Sequence, residues 1–230
     1  MCNNDSYYCM TPAVSLAAIL PEQAFAPKGA VLSGKRWTDR QIKVAFLEGS
    51  PALQEKVLAV AKTWEKYANI EFVLSNSEDS DIRVAFQTGM GSWSYLGTDS
   101  LSIAKDAPTM NYGWLDDNST QAVIRRVVLH EFGHAIGFVH EQQNPTEPIR
   151  WNKAAVYADL SKPPNNWDPA TIENNMFRKY DDVIASAVDS KSIMMYPIPK
   201  SWTENGYFSA GFNSELSEQD KEIAQRAYPS

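Results

Sequence analysis

All three histidines of this 230-residue chain fall inside one eleven-residue window, His130-Glu131-Phe132-Gly133-His134-Ala135-Ile136-Gly137-Phe138-Val139-His140. On a helix, side chains advance ~100° per residue, so positions i and i+4 share a face one turn apart, and His130 and His134 present their imidazoles to a common point. His140 cannot join them from a continuing helix. It would stand about 15 Å along the axis from His130, against metal–nitrogen bonds of ~2.0 Å. The chain therefore has to turn back after His134. Gly137 permits the turn, because a residue without Cβ enters the left-handed conformation that ends helices at little cost. Three neutral imidazoles at one point suit Zn2+ and leave a fourth position for water.

A single histidine on an apolar helix is ordinarily a core residue with its hydrogen bond satisfied. Three gathered without an ion would need several partners in one place, at ~1 to 3 kcal/mol for each polar group left unmet. His130, His134 and His140 are therefore read as ligands of one zinc ion per chain. Glu131 follows His130 but points ~100° away from it, a poor direction for a further ligand and a good one for a general base. In that role it takes a proton from a metal-activated water attacking a peptide carbonyl and passes it to the departing amine.

The rest of the chain must supply a scaffold with little covalent help. Two cysteines, Cys2 and Cys9, cannot make a disulfide framework. The 43% hydrophobic content, 11% of residues being aromatic, is enough for a sizeable core. A formal charge of −7 argues against nucleic-acid or anionic-membrane partners, and no apolar run approaches the ~20 residues of a membrane span. Residues Met1 to about Gly34 read as an N-terminal extension without sustained periodicity. Gln41–Leu47 alternates like a half-buried strand, and Pro51 opens an apolar stripe of helical spacing that runs to about Tyr67. Ile70–Leu74, Asp81–Gln87 and Thr109–Leu115 read as further strands, and Thr120–Phe138 as a buried helix that carries the first two histidines. Beyond His140, repeated prolines and Asn-rich stretches predict irregular structure, closed by a helix from Ser217 to about Tyr228 with Ser217 and Asp220 as a capping box. The fold class expected is α+β, with a mixed sheet.

The pattern H-E-x-x-H-x-x-G-x-x-H followed by a methionine turn is the signature of the metzincin zinc metallopeptidases. This chain matches it at every fixed position. Glu141 after the third histidine, and Ser192-Ile193-Met194-Met195-Tyr196 downstream, resemble the astacin branch of that clan. The resemblance covers approximately Lys35 to Tyr228. It implies a metzincin-type fold of two subdomains across a cleft. Residues 35–140 would form an upper subdomain of twisted mixed sheet, backing helix and zinc-binding helix; residues 141–230 would form an irregular lower one with the C-terminal helix. It also implies that Met194 lies beneath the zinc as an apolar floor, and that Tyr196 approaches the metal and stabilises the oxyanion. Met195 stands where astacins usually carry His, and the two cysteines cannot match the disulfides common in that branch. In astacins the glutamate at the position of Glu141 anchors the amino terminus freed when a pro-segment is removed; here it can equally be a charge partner of Arg150 or Arg178.

Further readings follow from the resemblance. Substrate would add along an edge strand, placed at Thr109–Trp114, with Met110, Asn111 and Tyr112 lining the cleft or serving as ordinary strand residues. Lys200, just after the methionine turn, either favours an acidic residue following the cut bond or is simply solvated. Asp116 and Asp117 are explained by helix capping rather than calcium. Residues 1–34 are a possible pro-segment, and Cys9 has two readings: an inhibitory thiolate in the fourth zinc position, or a tail cysteine that is free or paired with Cys2. The function expected is a zinc endopeptidase acting on protein or peptide substrates as a monomer. The alternative is a non-catalytic zinc-containing module that binds protein partners. The resemblance implies secretion or export; no signal peptide is visible, which leaves a cytoplasmic placement as the alternative.

Overall fold

In the computed structural model, residues 8–9, 31–146, 148–180, 183–184 and 187–230 are described. The alternating segment after Arg40 forms β2 (Gln41–Phe46), following a short β1 (Val31–Leu32) that pairs antiparallel with β7 (Val183–Ile184). Ile42 and Val44 point into the core and are fully buried. β2 runs parallel to β3 (Glu71–Leu74) on one side and to β4 (Ile82–Ala85) on the other. β4 then pairs parallel with β6 (Met110–Tyr112), and β5 (Ser92–Ser94) closes the sheet antiparallel to β6, in the order β3-β2-β4-β6-β5.

That order corrects one expectation. Thr109–Trp114 is not an edge, because β6 lies between β4 and β5, and Met110, Asn111 and Tyr112 are all fully buried. The free edge is β5, from a Gly/Ser/aromatic stretch too short and too polar to show strand periodicity. Asn111 is structural: its side chain accepts from Gln87 N at 2.8 Å and donates to Gly91 O at 2.6 Å, holding the turn that leads into β5.

Helix α1 (Pro51–Ala61) starts where Ser50 accepts a hydrogen bond from Leu53 N, with Pro51 in the first turn. It ends earlier than its apolar stripe, which continues through a 3-10 turn at Trp64–Lys66. Leu53, Val57, Val60 and Trp64 pack against the sheet and against α2 (Gln121–Ala135), whose N-cap is Thr120. The part after His140 is more regular than its prolines suggest. It contains α3 (Lys153–Leu160), capped by Asn152, and α4 (Pro169–Ile172), capped by Asp168 and continuing into a π turn over Glu173–Phe177.

Two hydrophobic clusters face each other. The upper one joins the sheet, α1 and α2; the lower one gathers Val156, Leu160, Trp167, Ile172, Tyr196 and Trp202. The last helix, α5 (Glu218–Ala227), has the expected capping box of Ser217 and Asp220, and its Ile223, Ala224 and Ala227 fold back onto the upper cluster. Ordered contacts begin ahead of Lys35, because Leu32 N donates to Gly137 O at 3.0 Å. Of residues 1–34 only Tyr8, Cys9 and Val31–Gly34 are described, and Cys2 lies outside the described residues. Among the described residues, no helix is long and apolar enough to cross a membrane.

Arg83 on β4 is a fully buried guanidinium that donates to Ala107 O at 2.7 Å, Ile103 O at 3.1 Å and Ser80 O at 3.3 Å. It ties the 3-10 segment Gly97–Ser102 and the approach to β6 onto the sheet. Arg83→Leu is expected to lower the unfolding free energy by about 3 kcal/mol or more, since each stranded carbonyl costs ~1 to 3 kcal/mol. Urea denaturation followed by tryptophan fluorescence measures it.

Candidate metal centre

His130 and His134 occupy one face of α2, their ring centroids 4.8 Å apart. The helix stops as its sequence demands. Gly137 takes φ +93°, Phe138 N donates to Gly133 O at 2.9 Å and Gly137 N to His134 O at 2.8 Å, the paired bonds of a Schellman ending. The carbonyls left over find partners far away in sequence. Trp37 Nε1 donates to Ala135 O and Tyr228 Oη to Ile136 O, both at 2.7 Å. So braced, the turn returns His140 to the helix face, with its Nε2 3.1 Å from that of His134. A fourth donor arrives from the N-terminal segment: Cys9 Sγ lies 2.9 Å from His130 Nε2, 3.2 Å from His140 Nε2 and 3.7 Å from His134 Nε2.

The protons on these rings follow from their other partners. His130 Nδ1 lies 2.8 Å from Ile193 O and His134 Nδ1 2.7 Å from Phe138 O. A carbonyl can only accept, so each Nδ1 carries hydrogen and each Nε2 offers a lone pair. Burial holds His134 and His140 well below the usual imidazole pKa and His130 at about 4, so the rings are neutral. Burial, then the nearby carboxylate of Glu131, pushes the Cys9 thiol well up. Lone pairs converging from neutral rings repel one another unless a cation lies between them, and a cation is also what turns such a thiol into a ligand. Three imidazole nitrogens and one sulfur, all within 4.8 Å of one another, are a donor set that suits four-coordinate zinc.

The floor of the site is the methionine turn. Met194 is fully buried, and a Cβ on Gly133 would collide with its Sδ, so the helix lies directly on the thioether because Gly133 has no side chain. Buried Asp220, at the start of α5, holds the turn in place. Its carboxylate accepts from Ser192 Oγ at 2.6 Å and from Ile193 N at 2.8 Å. The same Ile193 peptide presents its oxygen to His130.

The family model for the astacin peptidases matches residues 30–230. The chain belongs to the astacin family. By that membership it is a zinc metalloendopeptidase. The chain is 42% identical to the solved structure of myroilysin, with a TM-score of 0.83 over 87% of this chain and 98% of that one. A hatching-enzyme zinc-protease of Oryzias latipes, high choriolytic enzyme 1, shares the fold at 19% identity and a TM-score of 0.53, covering 84% of this chain and 94% of that one. Among curated proteins, human Tolloid-like protein 1 is 27% identical over 72% of this chain, and Protein SpAN of Strongylocentrotus purpuratus 24% identical over 51%. The chain spans only 16% and 18% of the length of those two relatives.

Within this astacin-type site, Glu131 is buried beside the histidines, and burial pushes its pKa well up. Neither of its oxygens meets a well-formed hydrogen-bond partner among the described residues, although the Cys9 thiol is close enough to act on it. The Tyr196 hydroxyl donates to the carbonyl oxygen of Cys9, and its ring centroid is 4.2 Å from that of His140. Glu141 is buried and accepts from Asn144 Nδ2 and Asp189 N, both at 3.1 Å; burial raises its pKa to about 8. Its partners are thus an amide and a backbone N–H rather than the expected arginines: Arg178 bonds Asn174, and Arg150 lies over the Tyr207 ring.

Lys200 is exposed on the 3-10 turn Lys200–Trp202, outside the pocket beside the histidines. The cationic residue lining that pocket is Arg126, one helical turn before His130, together with Trp114, Phe212 and Pro197. Sequence spacing alone could have suggested Arg126, because i and i+4 share a helix face. Tyr8 carried no such signal.

Removing the support from the methionine turn should loosen His130 without touching a ligand. Asp220→Ala is expected to weaken zinc affinity by about 10- to 100-fold, the usual effect of losing such outer support. Chelator competition measures it, and affinity equal to that of the unaltered chain would show that the Ile193 carbonyl is held without Asp220.

Proposed function

We propose that this chain is a zinc-dependent endopeptidase of protein or peptide substrates, described here in a self-blocked form in which Cys9 fills the fourth metal position. The observation that carries the reading is the convergence of the Nε2 atoms of His130, His134 and His140 with Glu131 beside them and the Tyr196 hydroxyl on a backbone carbonyl. One zinc ion held by the three histidines supplies Lewis-acid chemistry, polarising a carbonyl and acidifying water. Glu131 is the proton carrier: it accepts a proton as water attacks the peptide carbonyl and delivers it to the amine that departs. Its burial favours the neutral form, so a proton once accepted is retained until the leaving nitrogen takes it. Tyr196 donates to the oxygen on which charge develops. That its hydroxyl already meets the Cys9 carbonyl supports this role, since the blocking segment offers the group a substrate would offer.

Gly137 sets the turn, Met194 forms the floor, and Glu141 braces the strand after His140 through Asn144 and Asp189. Residues 1–34 act as the pro-segment in this reading, with Cys9 as its blocking residue and the peptidase body following it.

Cys9→Ala in the full chain is expected to raise casein hydrolysis at least about tenfold, since a ligand competing for the fourth position is gone. Equal activity would remove the blocking role. Glu131→Ala added to Cys9→Ala should cut turnover by about 100-fold or more while zinc stays at one per chain. His140→Ala should instead lose tight zinc binding, as there is no spare histidine to replace it. Full zinc occupancy with no cleavage of casein or of a mixed peptide library by Cys9→Ala would overturn the peptidase reading in favour of a binding module.

A further inference from the structure

The residue before the blocking cysteine is seated as firmly as the cysteine. The Tyr8 ring lies 5.2 Å from the Tyr196 ring at 64°, 5.5 Å from Trp202 at 30° and 6.2 Å from Trp167 at 67°, centroid to centroid. Its hydroxyl donates to Pro197 O at 3.1 Å and its backbone N to Asn165 Oδ1 at 3.3 Å. Side chains so placed form a box with aromatic walls and one carbonyl acceptor at the end. Edge-on and tilted arrangements at these separations are the favourable ones for aromatic rings.

The walls do not depend on Tyr8 for their positions. Trp202 Nε1 donates to Asp159 Oδ2 at 2.7 Å, and the Trp202 carbonyl accepts from Asn152 N at 2.8 Å. Trp167 N donates to Leu160 O at 2.9 Å. Tyr196 is fixed by the methionine turn. When the N-terminal segment leaves, the box remains, open and next to the metal-binding histidines. It also lies in register with the chemistry, because Tyr8 adjoins the residue whose carbonyl receives the Tyr196 hydroxyl.

We infer that Trp167, Tyr196 and Trp202 form a substrate subsite for an aromatic side chain, and that Pro197 O makes it prefer tyrosine to phenylalanine. This rests on the peptidase reading and names the substrate class for that same cleft. Tyr8 is then a resident stand-in for the substrate residue next to the carbonyl at the reacting position. Discrimination by the hydroxyl follows from the acceptor: a phenylalanine ring fits the walls but leaves the Pro197 carbonyl without its donor.

Two measurements test it. In Tyr8→Ala/Cys9→Ala, with box and metal position both cleared, cleavage of a mixed peptide library should show tyrosine enriched roughly fivefold or more over alanine at one position within two residues of the cut bond, with phenylalanine between them. Adding Trp202→Phe or Trp167→Leu should collapse the ratio of kcat/KM for matched Tyr and Ala peptides toward one; the ratio is internal, so a general loss of folded enzyme does not move it. Separately, in Tyr8→Ala/Cys9→Ala/Glu131→Ala, tryptophan fluorescence should report matched Tyr peptides binding at least about fivefold tighter than Ala peptides. Equal Kd values, or cleavage without aromatic enrichment, would overturn the subsite. Discriminating binding with no cleavage by the Glu131-containing form would overturn the peptidase reading and leave the subsite standing.

Discussion

Lone pairs aimed at one another are the constraint around which this molecule is arranged. With Nδ1 of His130 and of His134 committed to carbonyl oxygens, their Nε2 atoms can only accept, and His140 brings a third nitrogen 3.1 Å from that of His134. Such a cluster is unfavourable without a cation and strongly favourable with one, so the fold has to hold it together by other means. It does so at the end of α2. Gly137 in a left-handed conformation reverses the chain, and Trp37, Tyr228 and Leu32 take up the last carbonyls. Segments from both ends of the described body therefore converge on one helix terminus.

The same economy governs the underside. Asp220 serves at once as the third residue of the α5 capping box and as the acceptor that fixes the Ser192–Ile193 peptide. The C-terminal helix is thereby coupled to His130 through a single peptide unit. Because Gly133 has no Cβ, Met194 can rest against the zinc helix. Helix, turn and C-terminal cap thus form a continuous support for the metal ligands, and none of these groups touches the ion in the proposed reading.

On the other side of the cleft, Tyr8 and Cys9 occupy the site in the way a bound peptide would. A sulfur approaches the histidines, a carbonyl meets the Tyr196 hydroxyl, and a side chain fills an aromatic box. Blocking and recognition are then two uses of the same groups. Anchoring by Tyr8 also gives the thiol, which burial alone would keep protonated, a fixed place beside the nitrogens.

The sequence by itself determined what local geometry can decide. Helical spacing put His130 and His134 on one face, Gly137 marked the reversal, Ser217 and Asp220 marked a helix start, and β2 showed its alternation. It stopped where order depends on distant partners. β5 is three residues long and owes its strand to β6, so its pattern is silent and the sheet edge reads one strand too early. Glu141 suggests an arginine partner because charge is visible in sequence, whereas its backbone donor comes from a loop 48 positions away. Tyr8 has no periodicity around it, and only the lower core assembles a box for its ring. The metal ligands were readable because their spacing is fixed by one helix and one turn; the cleft edge, the outer support and the occupant of the site were decided by tertiary structure, where contacts join residues that no local period connects.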